Sequence, residues 1–143
     1  MPVDKISRKI EFISQKIRYL TECKPVDAAQ FKDDETTQMA VLYAIHVAVE
    51  ALMDIVIIIE TKRTGNQHTG DYERITALFE DGLINKDVYL GLRRLNGLRN
   101  AIVHAYDSLV LDEIYEGYEK IVRDIVAITE YLYEKVCANE TDC

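Results

Sequence analysis

Residues 38–63, QMAVLYAIHVAVEALMDIVIIIETKR, form the longest mainly apolar stretch of the chain. As a helix, this stretch would be apolar on nearly all sides, and such a helix is normally buried among others. The acidic run DDETT at its start suits the positive end of a helix dipole, so we expect the helix to begin near Asp34. The stretch therefore predicts a central helix around which the rest of the chain packs.

The segments on either side predict further helices, because their apolar residues recur at steps of three and four. Strand patterns longer than a few residues are missing from the sequence, and Gly and Pro are few. The other expected helices run from about Val3 to Cys23, from Asp71 to about Gly82, from Lys86 (capped near Asn85) to about Tyr106, and from Leu111 to Val136. We therefore predict one all-α domain over residues 1–143, a bundle of four or five helices whose tail frays from about residue 138.

Composition excludes several classes of protein. The three cysteines, Cys23, Cys137 and Cys143, are odd in number and lack CxxC spacing, which argues against a disulfide framework or a zinc site and suits the cytoplasm. No unbroken apolar run reaches the length of a membrane span, so we expect no membrane partner. A net charge of −8 argues against a protein that coats nucleic acid by bulk electrostatics.

The charge is unevenly distributed along the chain. The helix predicted from Lys86 to about Tyr106 is the fourth along the chain. It carries four basic residues and one acidic residue, a local charge of +3 on an acidic protein: Lys86, Arg93, Arg94 and Arg99 against Asp87. A positive spot of this size suits a narrow contact with phosphate groups and not a broad nucleic-acid groove.

The fourth helix also carries the segment RNAIVHAY, residues 99–106. At 100° per residue, the predicted core-facing stripe holds Leu95, Leu98, Ile102 and Ala105, while a polar stripe holds Arg93, Gly97, Asn100 and His104. Arg99 is expected between the two stripes, from where its long side chain could reach the polar one. Gly97 leaves room for a substrate or a second copy of the helix.

These residue types suit the cleavage of RNA without a metal ion. The imidazole of His104 has an ordinary pKa near neutrality, about 6.5, and could take the proton of a 2′-hydroxyl group. Arg99 and Arg93 could bind phosphate oxygens and stabilise the charge that grows on phosphorus, and Asn100 could orient the imidazole or the phosphate. Because no acidic cluster lies nearby, we expect no metal ion and no cofactor.

The spacing by itself leaves the question open. An arginine five residues before a histidine also occurs at Arg63 and His68, in the glycine-bounded loop TGNQHTG, where we interpret it as coincidence. For the copy on the helix, surface arginines and a histidine hydrogen-bonded at a helix end explain the pattern equally well.

The segment LRNAIVHAY resembles the motif of the HEPN superfamily, in which an arginine and a polar residue are followed by three variable residues and a histidine. The added tyrosine is similar to the form found in HepT-like toxins. The resemblance extends to AVLYAIHVAVEALMDIVIIIE, which is similar to the family's central helix, and to residues 72–109, which resemble its third and fourth helices.

The resemblance implies a homodimer with a metal-independent ribonuclease site shared between the two copies. It also implies an antitoxin partner that is a minimal nucleotidyltransferase. Carried over by position, Arg99 and His104 are the expected catalytic pair, Asn100 fills the polar position, and Tyr106 is the expected acceptor of AMP. A two-fold axis near the fourth helix would double its positive charge.

Two acids on the central helix remain to be explained. Glu50 and Asp54 are one turn apart on an otherwise apolar helix, where like charges are unfavourable unless a cation is near. They either hold Arg99 or His104 in place or form an exposed strip. Two alternatives to a ribonuclease also remain: a non-catalytic helical subunit that binds a nucleotidyltransferase, and a purely structural bundle.

Overall fold

A computed structural model describes residues 2–65, 70–104 and 108–139. Within these ranges the regular structure is entirely helical, which confirms the predicted all-α class. The helices are α1 (Pro2–Glu22), α2 (Ala28–Asp33), α3 (Glu35–Thr64), α4 (Asp71–Glu80), α5 (Lys86–His104), α6 (Ser108–Glu116) and α7 (Tyr118–Asn139).

The central helix α3 follows from its sequence as predicted. Asp34 caps it by accepting a hydrogen bond from the backbone N–H of Thr37, and Gly65 ends it in the left-handed conformation with φ 70°. By length and composition α3 could cross a membrane, although no single apolar run in it is long enough. In the structure 56% of its most apolar 18-residue window is buried, and the other helices pack around it.

The four long helices α1, α3, α5 and α7 run alternately up and down. Near the start of α5, Leu83 and Ile84 line the same cavity as Ile58 of α3, while Arg99 near the end of α5 contacts Glu50 of α3. These contacts place α3 and α5 antiparallel. Helices α1 and α7 are also antiparallel. The hydroxyl of Tyr118 donates to the carbonyl of Leu20 at one end, and Ile6 and Val136 line the same cavity at the other end.

Two short helices close one end of the bundle. Phe31 of α2 is fully buried and lies 6.2 Å from Tyr115 of α6, measured between ring centroids. Lys32 of α2 forms a 2.5 Å ion pair with Asp112 of α6. The prediction of four or five helices missed α2.

The last predicted helix, Leu111–Val136, is interrupted at Gly117, where α6 ends and α7 begins. The core stripe continues across this break with Ile114, Tyr118 and Ile125, so the periodicity did not reveal it. At the other end of the bundle Asn85 caps α5 as predicted, since its side-chain oxygen accepts from the backbone N–H of Val88 at 2.8 Å.

Candidate functional site

The buried face of α5 is the face that carries Arg99. The fully buried residues of this helix are Val88, Gly91, Leu92, Leu95, Asn96 and Leu98. On a helical wheel their arc is centred within about 20° of Arg99. The prediction that Arg99 lies between a core stripe and a polar stripe is therefore wrong, because α5 is rotated so that Arg99 points into the bundle.

The guanidinium group of Arg99 is held from two sides. Its Nη1 donates to the side-chain oxygen of Asn100 at 3.1 Å, and its Nη2 lies 3.9 Å from Oε1 of Glu50 on α3. Its Nε is buried and has no hydrogen-bond partner among the described residues. A half-buried guanidinium with one loose carboxylate contact keeps its charge largely uncompensated, which suits the binding of an anion.

Glu50 links Arg99 to a second basic group on α3. One of its carboxylate oxygens lies 3.1 Å from Nε2 of His46 one turn earlier, and the other faces Arg99. Asp54, which the sequence grouped with Glu50, pairs instead with Lys9 of α1 at 2.9 Å. In the structure, therefore, Glu50 contacts Arg99, and Asp54 contacts Lys9 instead.

His104 is the last residue of α5, and its side chain is exposed. It is about 140° around the helix from Arg99, and no hydrogen bond or ion pair joins the two within the part of the chain that the structure describes. Tyr106, the expected AMP acceptor, lies outside the described residues. Within one copy, therefore, the arginine faces inward and the histidine faces outward.

Arg93 is exposed on the outer flank of α5. Its guanidinium carbon lies 5.1 Å from the ring centroid of Tyr72 on α4 and 5.6 Å from that of Tyr89 one turn earlier. Phe79 stacks on Tyr89 at 4.5 Å. Sequence reasoning missed both tyrosines, although the spacing of four residues from Tyr89 to Arg93 was a usable signal.

A buried polar residue was also missed. Asn96 is fully buried on α5, one turn before Asn100, and its side-chain oxygen has no partner among the described residues. In residues 2–65, 70–104 and 108–139, no group of three or more His, Cys, Asp or Glu side chains is arranged to hold a metal ion.

Comparison with known sequences adds an independent finding. The sequence profile described as "Ribonuclease HepT-like" matches residues 10–132. A protein of Archaeoglobus fulgidus with a provisional RNase designation is 38% identical over 125 residues, which cover 80% of this chain and 89% of that protein. The "mRNA nuclease HepT" of Shewanella oneidensis is 31% identical over 121 residues, covering 85% of this chain and 90% of that protein.

Solved structures with the same fold indicate the same family. The tri-AMPylated HEPN toxin of Shewanella oneidensis, solved in complex with an MNT antitoxin, superposes with a TM-score of 0.80 at 27% identity, covering 90% of this chain and 96% of that one. A toxin–antitoxin structure with AMP-PNP gives a TM-score of 0.81 at 26% identity, covering 90% and 98%.

Proposed function

This chain belongs to the HepT-like ribonuclease family, and from that premise we propose that it is the toxin of a toxin–antitoxin pair. As a toxin it is a metal-independent endoribonuclease of the cytoplasm, and two copies build its catalytic site. The observation that carries the proposal is the position of Arg99. This arginine points from α5 toward Glu50 of α3, and its guanidinium charge is only partly compensated.

In the proposed reaction Arg99 binds the scissile phosphate and Asn100 holds the guanidinium. His104 of one copy takes the proton from the 2′-hydroxyl group, whose oxygen forms a bond to phosphorus while the bond to the 5′ oxygen breaks. The departing 5′ oxygen takes a proton from water. Arg99 stabilises the charge on the phosphate oxygens throughout, and Arg93 contacts a neighbouring phosphate or nucleotide.

Exposed apolar residues near the site support the proposed dimer. Val103, beside His104, is half exposed although it continues the buried stripe of α5. On the antiparallel helix α3, Met39 and Tyr43 are also exposed, and they lie beyond Glu50 in the direction in which His104 lies beyond Arg99. An apolar surface of this kind is typical of an interface, and a two-fold axis there would bring the two His104 residues together.

The proposed partner is a minimal nucleotidyltransferase that silences the toxin by adding AMP to Tyr106. The support is the solved structure of the Shewanella toxin, which is tri-AMPylated and in complex with an MNT antitoxin. Tyr106 is two residues beyond His104 in this sequence. An adenylated tyrosine would add bulk and negative charge to the segment of the chain that directly follows the proposed catalytic histidine.

The first experiment replaces His104 by Ala and measures RNA cleavage in EDTA and growth without the partner. Because His104 is exposed at a helix end, the variant should fold and lose about 10³-fold in cleavage rate. His68→Ala is the matched control, since His68 has the same spacing from an arginine and should leave cleavage unchanged. Full cleavage by His104→Ala would reject the role of His104, and binding of the partner without any RNA cleavage would favour the non-catalytic subunit.

Mixing two inactive variants tests the shared site. Arg99→Ala and His104→Ala should each be inactive, whereas heterodimers formed on mixing contain one arginine and one histidine at the cleft and should recover part of the activity. Light scattering should give twice the mass of one chain. A monomer, or a mixture with no recovered activity, would contradict the shared site.

The tyrosine is tested by co-expression with the proposed nucleotidyltransferase partner. Tyr106→Phe should remain toxic and escape modification, because it lacks the hydroxyl that accepts AMP. In the wild-type protein, intact-mass and peptide mass spectrometry should locate AMP on Tyr106. AMP on another residue would overturn the assignment.

A further inference from the structure

The exposed surface between α4 and α5 carries an arginine held against two aromatic rings. The guanidinium of Arg93 lies over Tyr72 and Tyr89, and its Nη1 is 3.5 Å from the hydroxyl of Tyr89. Phe79 stacks on Tyr89. These contacts restrict the Arg93 side chain, so it loses less entropy than a free arginine when another flat group stacks on it.

This cluster lies on the same flank of α5 as Asn100 and His104. Tyr89, Arg93, Asn100 and His104 fall within about 60° of one another on the helical wheel. Arg93 and His104 are eleven residues apart, about 16 Å along the helix axis. The cluster would therefore hold a nucleotide near the cleaved one in sequence but not the cleaved one itself.

Gly97 lies between the cluster and His104 on this flank, next to Tyr72. A Cβ at Gly97 would lie 3.4 Å from the hydroxyl of Tyr72, an ordinary van der Waals contact, so the Tyr72 side chain reaches α5 at this point. Lys86, exposed on the same flank, adds a positive charge at the far end. The acidic residue of the helix, Asp87, lies on the opposite flank.

The neighbouring arginine shows how unusual Arg93 is. Arg94 points to the opposite flank of α5, where its Nη2 lies 3.6 Å from Asp124. Asp124 is also bound by Lys120. Arg93 has no carboxylate partner in the described residues, although the chain is acidic overall.

We infer that Tyr72, Tyr89 and Arg93 form a stacking subsite for single-stranded RNA, next to the cleavage site. The inference rests on the proposed function, because it extends the path of the same substrate. Bases of single-stranded RNA stack on aromatic rings and on guanidinium planes, and the charge of Arg93 also attracts the backbone. A protein partner that binds through carboxylates would need the charge of Arg93 but not the rings beneath it.

Binding is measured by fluorescence anisotropy with a labelled single-stranded RNA that carries 2′-O-methyl groups and resists cleavage. Arg93→Ala should weaken binding about tenfold, and Arg93→Lys should recover only part of the loss because it restores charge without a plane. Arg94→Ala is the matched control, because Arg94 has the same charge and is the next residue. Its RNA affinity should stay within about twofold of that of wild type, since Arg94 lies away from the proposed RNA path.

Abasic nucleotides then separate stacking from charge. In wild type one abasic position should weaken binding about tenfold, and in Arg93→Ala the same substitution should cost nothing further. Tyr72→Leu should behave like Arg93→Ala, and Tyr72→Phe, which keeps the ring, like wild type. Thermal melts of each variant show that it is folded. An equal abasic effect in wild type and Arg93→Ala would overturn the inference.

Cleavage assays distinguish this inference from the proposed function. Arg93→Ala should slow cleavage of long RNA by a larger factor than cleavage of a dinucleotide substrate, which is too short to reach the subsite. If wild type cleaves RNA while Arg93→Ala and Arg94→Ala bind RNA equally well, the subsite is wrong and the ribonuclease stands. If wild type cleaves no RNA, the ribonuclease is wrong, and the abasic series still decides the subsite. Loss of antitoxin binding alone in Arg93→Ala would assign the surface to the protein partner instead.

Discussion

Helix α3 supplies a glutamate to each of two arginines, and the two pairs differ in burial. Glu60 is 1% exposed and lies 4.0 Å from Nε of Arg74 on α4, whose Nη1 also binds Asp71 at 3.1 Å. The Glu50 side chain is 50% exposed and lies 3.9 Å from Arg99, whose other contact is the neutral Asn100. The residue types are the same, but Arg74 meets two carboxylates and Arg99 meets one.

The difference separates an arginine used for stability from one available for chemistry. A carboxylate buried as deeply as Glu60 requires its counter-charge, so Arg74 serves to keep the bundle intact. Glu50 is hydrated and needs no partner, so its contact with Arg99 could be replaced by the phosphate of the proposed reaction. Burial of the acid, and not the presence of an ion pair, distinguishes the two.

The largest effect on stability is expected at the buried pair. Arg74→Ala removes the guanidinium that faces the buried carboxylate of Glu60 and should lower the free energy of unfolding by about 3 kcal/mol. Arg99→Ala, with a hydrated glutamate partner, should lower it by less than about 1 kcal/mol. Urea denaturation followed by circular dichroism measures both. Equal losses in the two variants would break the comparison.

A smaller effect, on activity, is expected at the exposed pair. Glu50→Gln keeps the volume but removes the charge that faces Arg99 and His46, so the guanidinium should be less well oriented and kcat should fall about fivefold. Asp54→Asn is the control one turn away, since Asp54 pairs with Lys9 and should leave kcat unchanged. A loss of similar size in both variants would mean that general charge, and not orientation, is responsible.

The smallest effect concerns the start of α3, the helix that carries both glutamates. Hydrogen bonds from the side chain and backbone N–H of Thr37 lower the pKa of the Asp34 carboxyl below its ordinary value. A carboxyl whose pKa is lower in the folded state stabilises the fold above its unfolded pKa, about 3.9, and loses this effect as the pH falls through the folded value. Asp34→Ala should therefore lower the Tm by a few degrees at pH 7, measured by calorimetry.

The stabilising effect of Asp34 should also depend on pH, and the same variant tests this. The difference in Tm between wild type and Asp34→Ala should shrink as the pH is lowered from about 5 to 2. Asp34→Asn, which still accepts a hydrogen bond but does not titrate, should differ from Asp34→Ala by an amount independent of pH. A gap that widens in acid would contradict the role of the ionised cap.

Most of the fold was predictable because helix periodicity and capping are local. The bounds of α1, α3 and α5 follow from isoleucine spacing and from the side chains of Asp34 and Asn85. The short helix α2 was missed because six residues with one buried side chain, Phe31, give no periodic pattern. The break at Gly117 was missed because the apolar stripe continues through it.

The residues of the candidate site were predictable as a linear motif, but their directions were not. The sequence by itself determined the order and spacing of Arg99, Asn100 and His104. It also determined the helix on which they lie and the family to which the chain belongs. Only the tertiary structure decided that Arg99 faces inward and Asp54 faces Lys9, because the rotation of α5 depends on packing against helices distant in sequence. The same packing set Arg93 against Tyr72, a contact that joins two helices and is invisible in the periodicity of either.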